Sequence, residues 1–245
     1  MRKAARVSIT CFHDSLPAQA NEFAVVVVDV IRATTTAITA VAGHHRCVVA
    51  NSLESAFALR RNLPGALLVG EIGGEMPVGF DLPNSPAALA RAVQDRSPII
   101  LLSSSGTRLM VAAACLSTVY VAALRNFAAQ VATLLQAPQD VLLVGAGTRG
   151  EFRPEDQLCC AWMASALLSA GYEADEQTLQ MAERWSDVDA EAIRTSNSAA
   201  YLLSSGQQDD LEFVLSHVGD VNQTFVLRGG EVLAMPGVGL QTCVA

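Results

Sequence analysis

Six short apolar runs recur in the first 145 residues, at 25–30, 47–50, 66–69, 99–102, 119–122 and 141–144. Between them lie alanine- and leucine-rich stretches at 35–41, 53–63, 87–94, 107–115 and 127–135. Strand-length runs alternating with stretches long enough for crossover helices are the rhythm of βαβ units. The alternation predicts an α/β fold: a three-layer α/β/α sandwich on a mainly parallel sheet, with a mixed sheet left open because spacing does not encode strand order. Residues 154–169 read as one long helix, and 173–217 as helical and polar with no obvious strand. "TFVLRGGEVLAM" reads as a short terminal hairpin turning at Gly229 and Gly230. No repeat or low-complexity linker divides the sequence, so 1–245 is expected to form a single α/β domain.

Composition narrows the function. A net charge of -8 disfavours nucleic acid or an anionic membrane as a partner, since both need a basic surface. Any bound anion must then meet a local positive site. Lysine occurs once, at Lys3, so arginines, backbone N–H groups or a metal must supply it. The six cysteines show no C-x-x-C pair and no zinc spacing, and Cys159 and Cys160 fall inside a helix where core packing is the expected role. The first residues hold no apolar stretch of signal-peptide length, so a reduced, cytoplasmic protein is expected.

Ligands of parallel α/β sheets bind beyond the carboxyl ends of the strands. There the chain collects charge and glycine: "VVVVDVIRATTT", "GEIGGEMPVGFDLPNSP", "SSSGTRL" and "GAGTRGEFRPED". Asp29 ends a strand built for burial, a costly place for an acid unless it is paired or metal-bound. In the long loop 70–86, Glu71 and Asp81 are open between solvated and functional readings, and Glu75 reads as solvent-facing. Ser85 and Pro86 read as an N-cap and first helical residue, and Asn84 could point into a site. Ser103 to Thr107 offer hydroxyls and converging N–H groups for an oxyanion, with Arg108 adding a planar donor fork. Glu155 and Asp156 sit where negative charge complements a helix dipole, and Asp156 stays equally open to a functional role. His13 reads as structural or exposed.

"GAGTRG" matches G-x-G-x-x-G after a strand, but "EFRP" separates it from its helix and two acids occupy the first turn, so a dinucleotide site is rejected. A P-loop has no lysine to complete it. A haloacid-dehalogenase-like phosphatase lacks its second acid, since Ile31 stands there, and its later lysine.

"DVIRATTTAITA", "GEIGG", "GFDLPNSP", "SSSGTRL", "GAGTRGEFRPEDQLCCA" and "DDLEFVLSHVGDV" occur in the order and approximate spacing of the 2-phosphosulfolactate phosphatase (ComB-type) family, which the chain resembles over about residues 5–235. The resemblance implies a magnesium-dependent phosphomonoesterase that converts 2-phosphosulfolactate to sulfolactate and phosphate, a step toward coenzyme M or sulfolactate. On that reading Asp29, Glu71, Asp81 and Asp156 hold Mg²⁺ directly or through water. Arg32 and Arg108 neutralise the phosphoryl oxygens. Thr34, Thr35, Asn84, Ser85, Ser105, Gly106, Thr107 and Thr148 contact the substrate, and Arg149 or Arg125 takes the sulfonate or carboxylate. The chain departs from the family pattern at Ser105, where asparagine is usual, at Ile72, where arginine is usual, and across 194–199. A non-catalytic anion-binding paralogue, or a phosphatase of another small phosphorylated hydroxy acid, are the competing expectations. A homodimer is expected.

Overall fold

The computed structural model describes residues 4–17, 20–92 and 95–235; Lys3, Gln94 and Cys243 lie outside that range. Its strands are β1 (Arg6–Cys11), β2 (Ala24–Val28), β3 (Cys47–Ala50), β4 (Leu67–Gly70), β5 (Leu82–Pro83), β6 (Ile99–Leu102), β7 (Val119–Ala122), β8 (Val141–Gly145), β9 (Glu173–Ala174), β10 (Thr224–Arg228) and β11 (Glu231–Met235). The helices are α1 (Ala33–Ala42), α2 (Leu53–Asn62), α3 (Pro86–Ala92), α4 (Gly106–Ala113), α5 (Phe127–Gln136), α6 (Pro154–Ser169), α7 (Glu176–Arg184), α8 (Asn197–Ser204) and α9 (Gln208–Ser216). The expected α/β class and the six runs are present. Two-residue β9 pairs with β1, so a strand does follow Gly171, contrary to expectation; two residues are too few to leave a pattern in the sequence.

One sheet runs in the order β5-β4-β6-β3-β11-β10-β7-β2-β8-β1-β9. β5 to β3 are mutually parallel, as are β7 to β9, and the terminal hairpin lies between the groups. Every pairing across the hairpin is antiparallel: β3 with β11, β11 with β10, and β10 with β7. The sheet is therefore mixed, and three reversals leave its two parallel groups oppositely directed. Neighbouring strands twist by about 20–25°, and over the five pairings between β2 and β6 that accumulates to roughly 100–125°. The twist turns the carboxyl ends of the second group back toward those of the first.

Packing shows the same wrap. In β2 every residue is buried, and successive side chains enter opposite layers, as strand geometry requires. Val26 and Val28 join a core with Leu143, Leu158 and Met163 under α5 and α6. Val25 and Val27 join Ile38 of α1 and Met110 of α4, together with Val49, Val69 and Leu101 from the other parallel group. Both halves of the sheet thus bury side chains on α1 and α4. A third cluster, with Leu68, Ile100 and Ala56, sits under α2.

Phe225 of β10, paired with Val121 and Ala234, is fully buried at this junction. Phe225→Ala is expected to destabilise the protein by about 3–5 kcal/mol, the scale for emptying an aromatic core position. Urea unfolding would measure it, and a loss under about 1 kcal/mol would mean that the hairpin is a peripheral addition.

Candidate active site

The turn between β2 and α1 is knitted by its own threonines. Thr34 Oγ1 donates to Asp29 O at 2.7 Å and accepts from Asp29 N at 3.0 Å; Thr35 Oγ1 donates to Val30 O at 2.7 Å and Thr36 Oγ1 to Arg32 O at 3.1 Å. The Asp29 and Arg32 carbonyls also accept from Thr34 N and Thr36 N, so the hydroxyls reinforce those bonds and supply the partner of the buried Val30 carbonyl. Thr34 and Thr35, expected to contact substrate, are buried with their hydroxyls engaged in this way and do not line the cleft. What the turn presents to the cleft is Asp29, Ile31 and Arg32.

Asp29 Oδ1 accepts from Ala33 N at 3.2 Å, while Oδ2 packs against Gly106 at the start of α4. A Cβ at Gly106 would lie 2.2 Å from Oδ2, so glycine is required for this approach. The contact joins the carboxyl ends of β2 and β6, strands from opposite groups. Glu71, beyond β4, is tied to the serine turn beyond β6: Oε1 accepts from Ser104 N at 2.6 Å, and Oε2 accepts from Ser104 Oγ at 2.9 Å and Gly74 N at 2.6 Å. Ser105 Oγ lies 3.1 Å from Thr148 Oγ1, which brings in the loop after β8. That loop closes on itself through Thr148 and Glu151, with Arg149 at a left-handed φ of 53°, before α6 begins. The glycine motif therefore does not open into a helix, as the rejection of a dinucleotide site required.

These loops enclose a cleft of about 530 Å³. Of the expected residues it takes in Asp29, Arg32, Glu71, Asn84, Ser105, Thr148 and Arg149. Arg153 and Glu151 also line it, as do Asn197, Ser198 and Tyr201 of α8, none of which sequence reasoning had assigned. Arg153 Nη1 donates to Glu151 Oε2 at 2.7 Å, and Asn197 Nδ2 donates to the same carboxylate at 3.2 Å. Arg153 immediately precedes the helix-initiating Pro154, a signal that could have marked it. For α8 the sequence carries no such signal, because 194–199 departs from the family pattern.

Several expected residues fall elsewhere. Asp81 accepts from Leu68 N at 2.8 Å and pairs with Arg60 at 3.1 Å, where it pins β5 to β4. Arg108 is exposed and borders a separate depression of about 200 Å³ that also includes Ile72. Its helix turns it away from Asp29, because Gly106 takes the inward position. Thr107 is buried and trades hydrogen bonds with Ser103 at the start of α4. Ser85 caps α3 through Ala88 N at 2.9 Å and donates to Asp210 at 2.5 Å. Arg125 is spent on Asp220 and the ring of Phe213. Asp156 lies behind the cleft, with Oδ1 accepting from Val30 N at 2.8 Å.

Four acids shape the electrostatics. Burial pushes the Asp29 carboxyl up to about 7, with the charges of Glu71 and Glu155 adding to it and Ala33 N and Arg32 opposing. Asp156 is raised well above its ordinary range by burial and by Asp29 and Glu155. Glu155 is raised chiefly by burial. The hydroxyls of Ser198 and Ser196 offset part of this, yet neither carboxylate oxygen has a well-formed hydrogen bond among the described residues. Complementing the helix dipole is therefore only part of what Glu155 does. Such a group of buried acids is stabilised by a nearby cation. Among the described residues no three acid, imidazole or thiol groups stand close enough to cage one. Mg²⁺ needs no cage: one or two carboxylates with waters and substrate phosphate suffice, and Asp29 and Glu71 are the two of these carboxylates that line the cleft.

Gly106→Ala is expected to displace the Asp29 carboxylate and abolish phosphomonoester hydrolysis, at about 1–3 kcal/mol in stability. Phosphate release and urea unfolding on one preparation would separate the two effects, and near-normal turnover would contradict the contact. The Asp29 titration gives a second outcome. A carboxyl raised in the folded state adds stability below its unfolded value, and that stability is lost as pH rises through the folded value. With chelator present, wild type should lose stability between pH 3.8 and about 7 through this group. Asp29→Asn should then be the more stable protein at pH 8, the difference closing by about pH 4. Thermal unfolding across that range measures it, and a gap independent of pH would rule out the shift.

The profile of the family described as 2-phosphosulpholactate phosphatase matches residues 11–221. A probable 2-phosphosulfolactate phosphatase of Parasynechococcus marenigrum (strain WH8102) is 32% identical over 207 residues, covering 80% of this chain and 85% of that protein. One of Symbiobacterium thermophilum is 33% identical over 222 residues, covering 86% and 93%, and one of Carboxydothermus hydrogenoformans is 38% identical over 149 residues, covering 60% and 62%. Among the described residues no helix is long and apolar enough to cross a membrane. The cleft motifs and the family profile coincide along the sequence, and the chain belongs to the 2-phosphosulpholactate phosphatase family of phosphomonoester hydrolases.

Proposed function

We propose that the chain is a Mg²⁺-dependent phosphomonoester hydrolase that converts 2-phosphosulfolactate and water to sulfolactate and phosphate. It would act in the cytoplasm, in a reaction of the coenzyme M or sulfolactate biosynthesis type. The observation that carries this reading is the buried Asp29 carboxylate, set on Gly106 with Arg32 and Glu71 in the same cleft. An acid and a guanidinium held at the edge of a core suit a ligand that brings phosphoryl charge.

Asp29 and Glu71 would hold Mg²⁺, which when bound neutralises phosphoryl charge and activates water. Arg32 would neutralise a phosphoryl oxygen with its cleft-facing edge. Across the cleft, Arg149 and Arg153 are the cations for the carboxylate and sulfonate. Ile72 borders only the neighbouring depression, so replacement of the family's arginine there leaves these groups in place. Hydrolysis breaks the ester P–O bond, forms one P–O bond to the attacking oxygen and returns a proton to the departing alkoxide. Attack by water and attack by Asp29 with later hydrolysis both fit, and trapping a phosphoenzyme would select the second. The engagement of Ser105 with Thr148, where the family has asparagine, favours a second reading in which a phosphorylated hydroxy acid without sulfonate is also accepted.

Phosphate release from 2-phosphosulfolactate and phospholactate, with Mg²⁺ and with chelator, is the test. Mg²⁺-dependent release that favours phosphosulfolactate is expected. Arg32→Ala should lower turnover by roughly 10³-fold, the scale of an arginine acting on a transferring phosphoryl group. No release from either substrate would leave the non-catalytic reading, equal rates would remove the sulfonate assignment, and full turnover by Asp29→Asn would end the central one.

A further inference from the structure

Arg32 is held from behind. Its Nη1 donates to Asp210 Oδ2 at 2.6 Å and to Gln207 Oε1, and the Arg32 and Asp210 side chains are only 4% and 3% exposed. Asp210 is itself fixed: Oδ1 accepts from Ser85 Oγ at 2.5 Å and from Ala87 N at 3.2 Å. One carboxylate in the first turn of α9 therefore ties the β2–α1 turn to the start of α3. Arg32 lines the cleft and Asp210 does not. The Nε and Nη2 atoms of Arg32 have no partner among the described residues, and neither is sealed from solvent.

We infer that Asp210 is a positioning residue. With Gln207 it occupies one corner of the Arg32 guanidinium so that the opposite edge stays open to an anion in the cleft. The fold alone does not call for this pair, since a buried ion pair contributes little that well-packed apolar side chains would not. Its geometry serves the cleft. An arginine beside an unprotonated Asp29 has a bidentate carboxylate partner within its own turn, and pairing there would occupy both groups. Asp210 draws the guanidinium away from that arrangement and fixes its plane. This inference rests on the reading of the cleft as the phosphoryl site.

The test is a double-mutant cycle on 2-phosphosulfolactate turnover, with inorganic phosphate binding measured by calorimetry on the same proteins. Asp210→Ala is expected to lower kcat/KM on the order of 10²-fold, the scale of a misplaced catalytic group, and to weaken phosphate binding. Arg32→Ala combined with Asp210→Ala should be no worse than Arg32→Ala alone, because the two act through one guanidinium. Added guanidinium should partly restore Arg32→Ala and fail to restore the double variant. Multiplicative losses, or rescue of the double variant, would overturn the inference. If Asp210→Ala does not fold, Asp210→Asn is judged by the same criteria. An inactive Arg32→Ala beside fully active Asp210 variants would overturn the role of Asp210 alone. A fully active Arg32→Ala would overturn the reading of the cleft.

Discussion

A carboxylate at the end of a fully buried strand is the constraint around which this protein is arranged. Burial raises its pKa and two other acids add to the strain, yet among the described residues only Ala33 N and the charge of Arg32 stand in opposition. The turn is made rigid instead by threonine hydroxyls bound to backbone carbonyls, and the far oxygen meets a glycine. A site that leaves an acid so incompletely satisfied within the protein is complementary to a positive ligand. On the proposed reading, the stability lost to burying Asp29 would be the counterpart of cation affinity.

The sheet explains how residues from four strand ends reach that carboxylate. In an unbroken parallel sheet the ends of β2 and β6 would lie on one edge. Here the antiparallel hairpin reverses one group, and twist across the sheet returns its ends to the same place. The hairpin is thus structural in a sense its position in the sequence conceals: among the described residues β10 and β11 are the last strands, and they lie in the middle of the sheet. Both parallel groups bury side chains on α1 and α4, and α4 begins with the glycine that touches Asp29.

Much of this was legible in the sequence. Strands announced themselves by aliphatic runs, Ser85 and Pro86 by capping chemistry, and Asp29 by the expense of an acid after four valines. The illegible part has two physical causes. Which way a side chain faces at a helix start depends on the neighbour against which it packs: Gly106 faces Asp29, so Arg108, two residues on, is carried out to the surface. Long-range partners are the other cause. Asp81 is neutralised by Arg60 and Asp210 by Arg32, and nothing local at either acid distinguishes them. The helix position of Glu155 accounts for its sign, whereas its burial and its approach to the Ser196 and Ser198 hydroxyls are long-range features that its sequence neighbours do not show.

Charge distribution ties these threads together. With one lysine and a net charge of -8, the protein cannot attract an anion by its overall field and must do so at short range. Of the three cleft arginines, Arg32 and Arg153 are each bound on one side by a carboxylate, Asp210 and Glu151. Such pairing lowers the free charge each presents but fixes the direction of its remaining donors, and a planar fork gains most from fixed direction. On the proposed reading, selection among small acids would rest on where donors point rather than on how much positive charge is present. Ile72 borders only the neighbouring depression, so the change there leaves Arg32 and Arg153 held by Asp210 and Glu151.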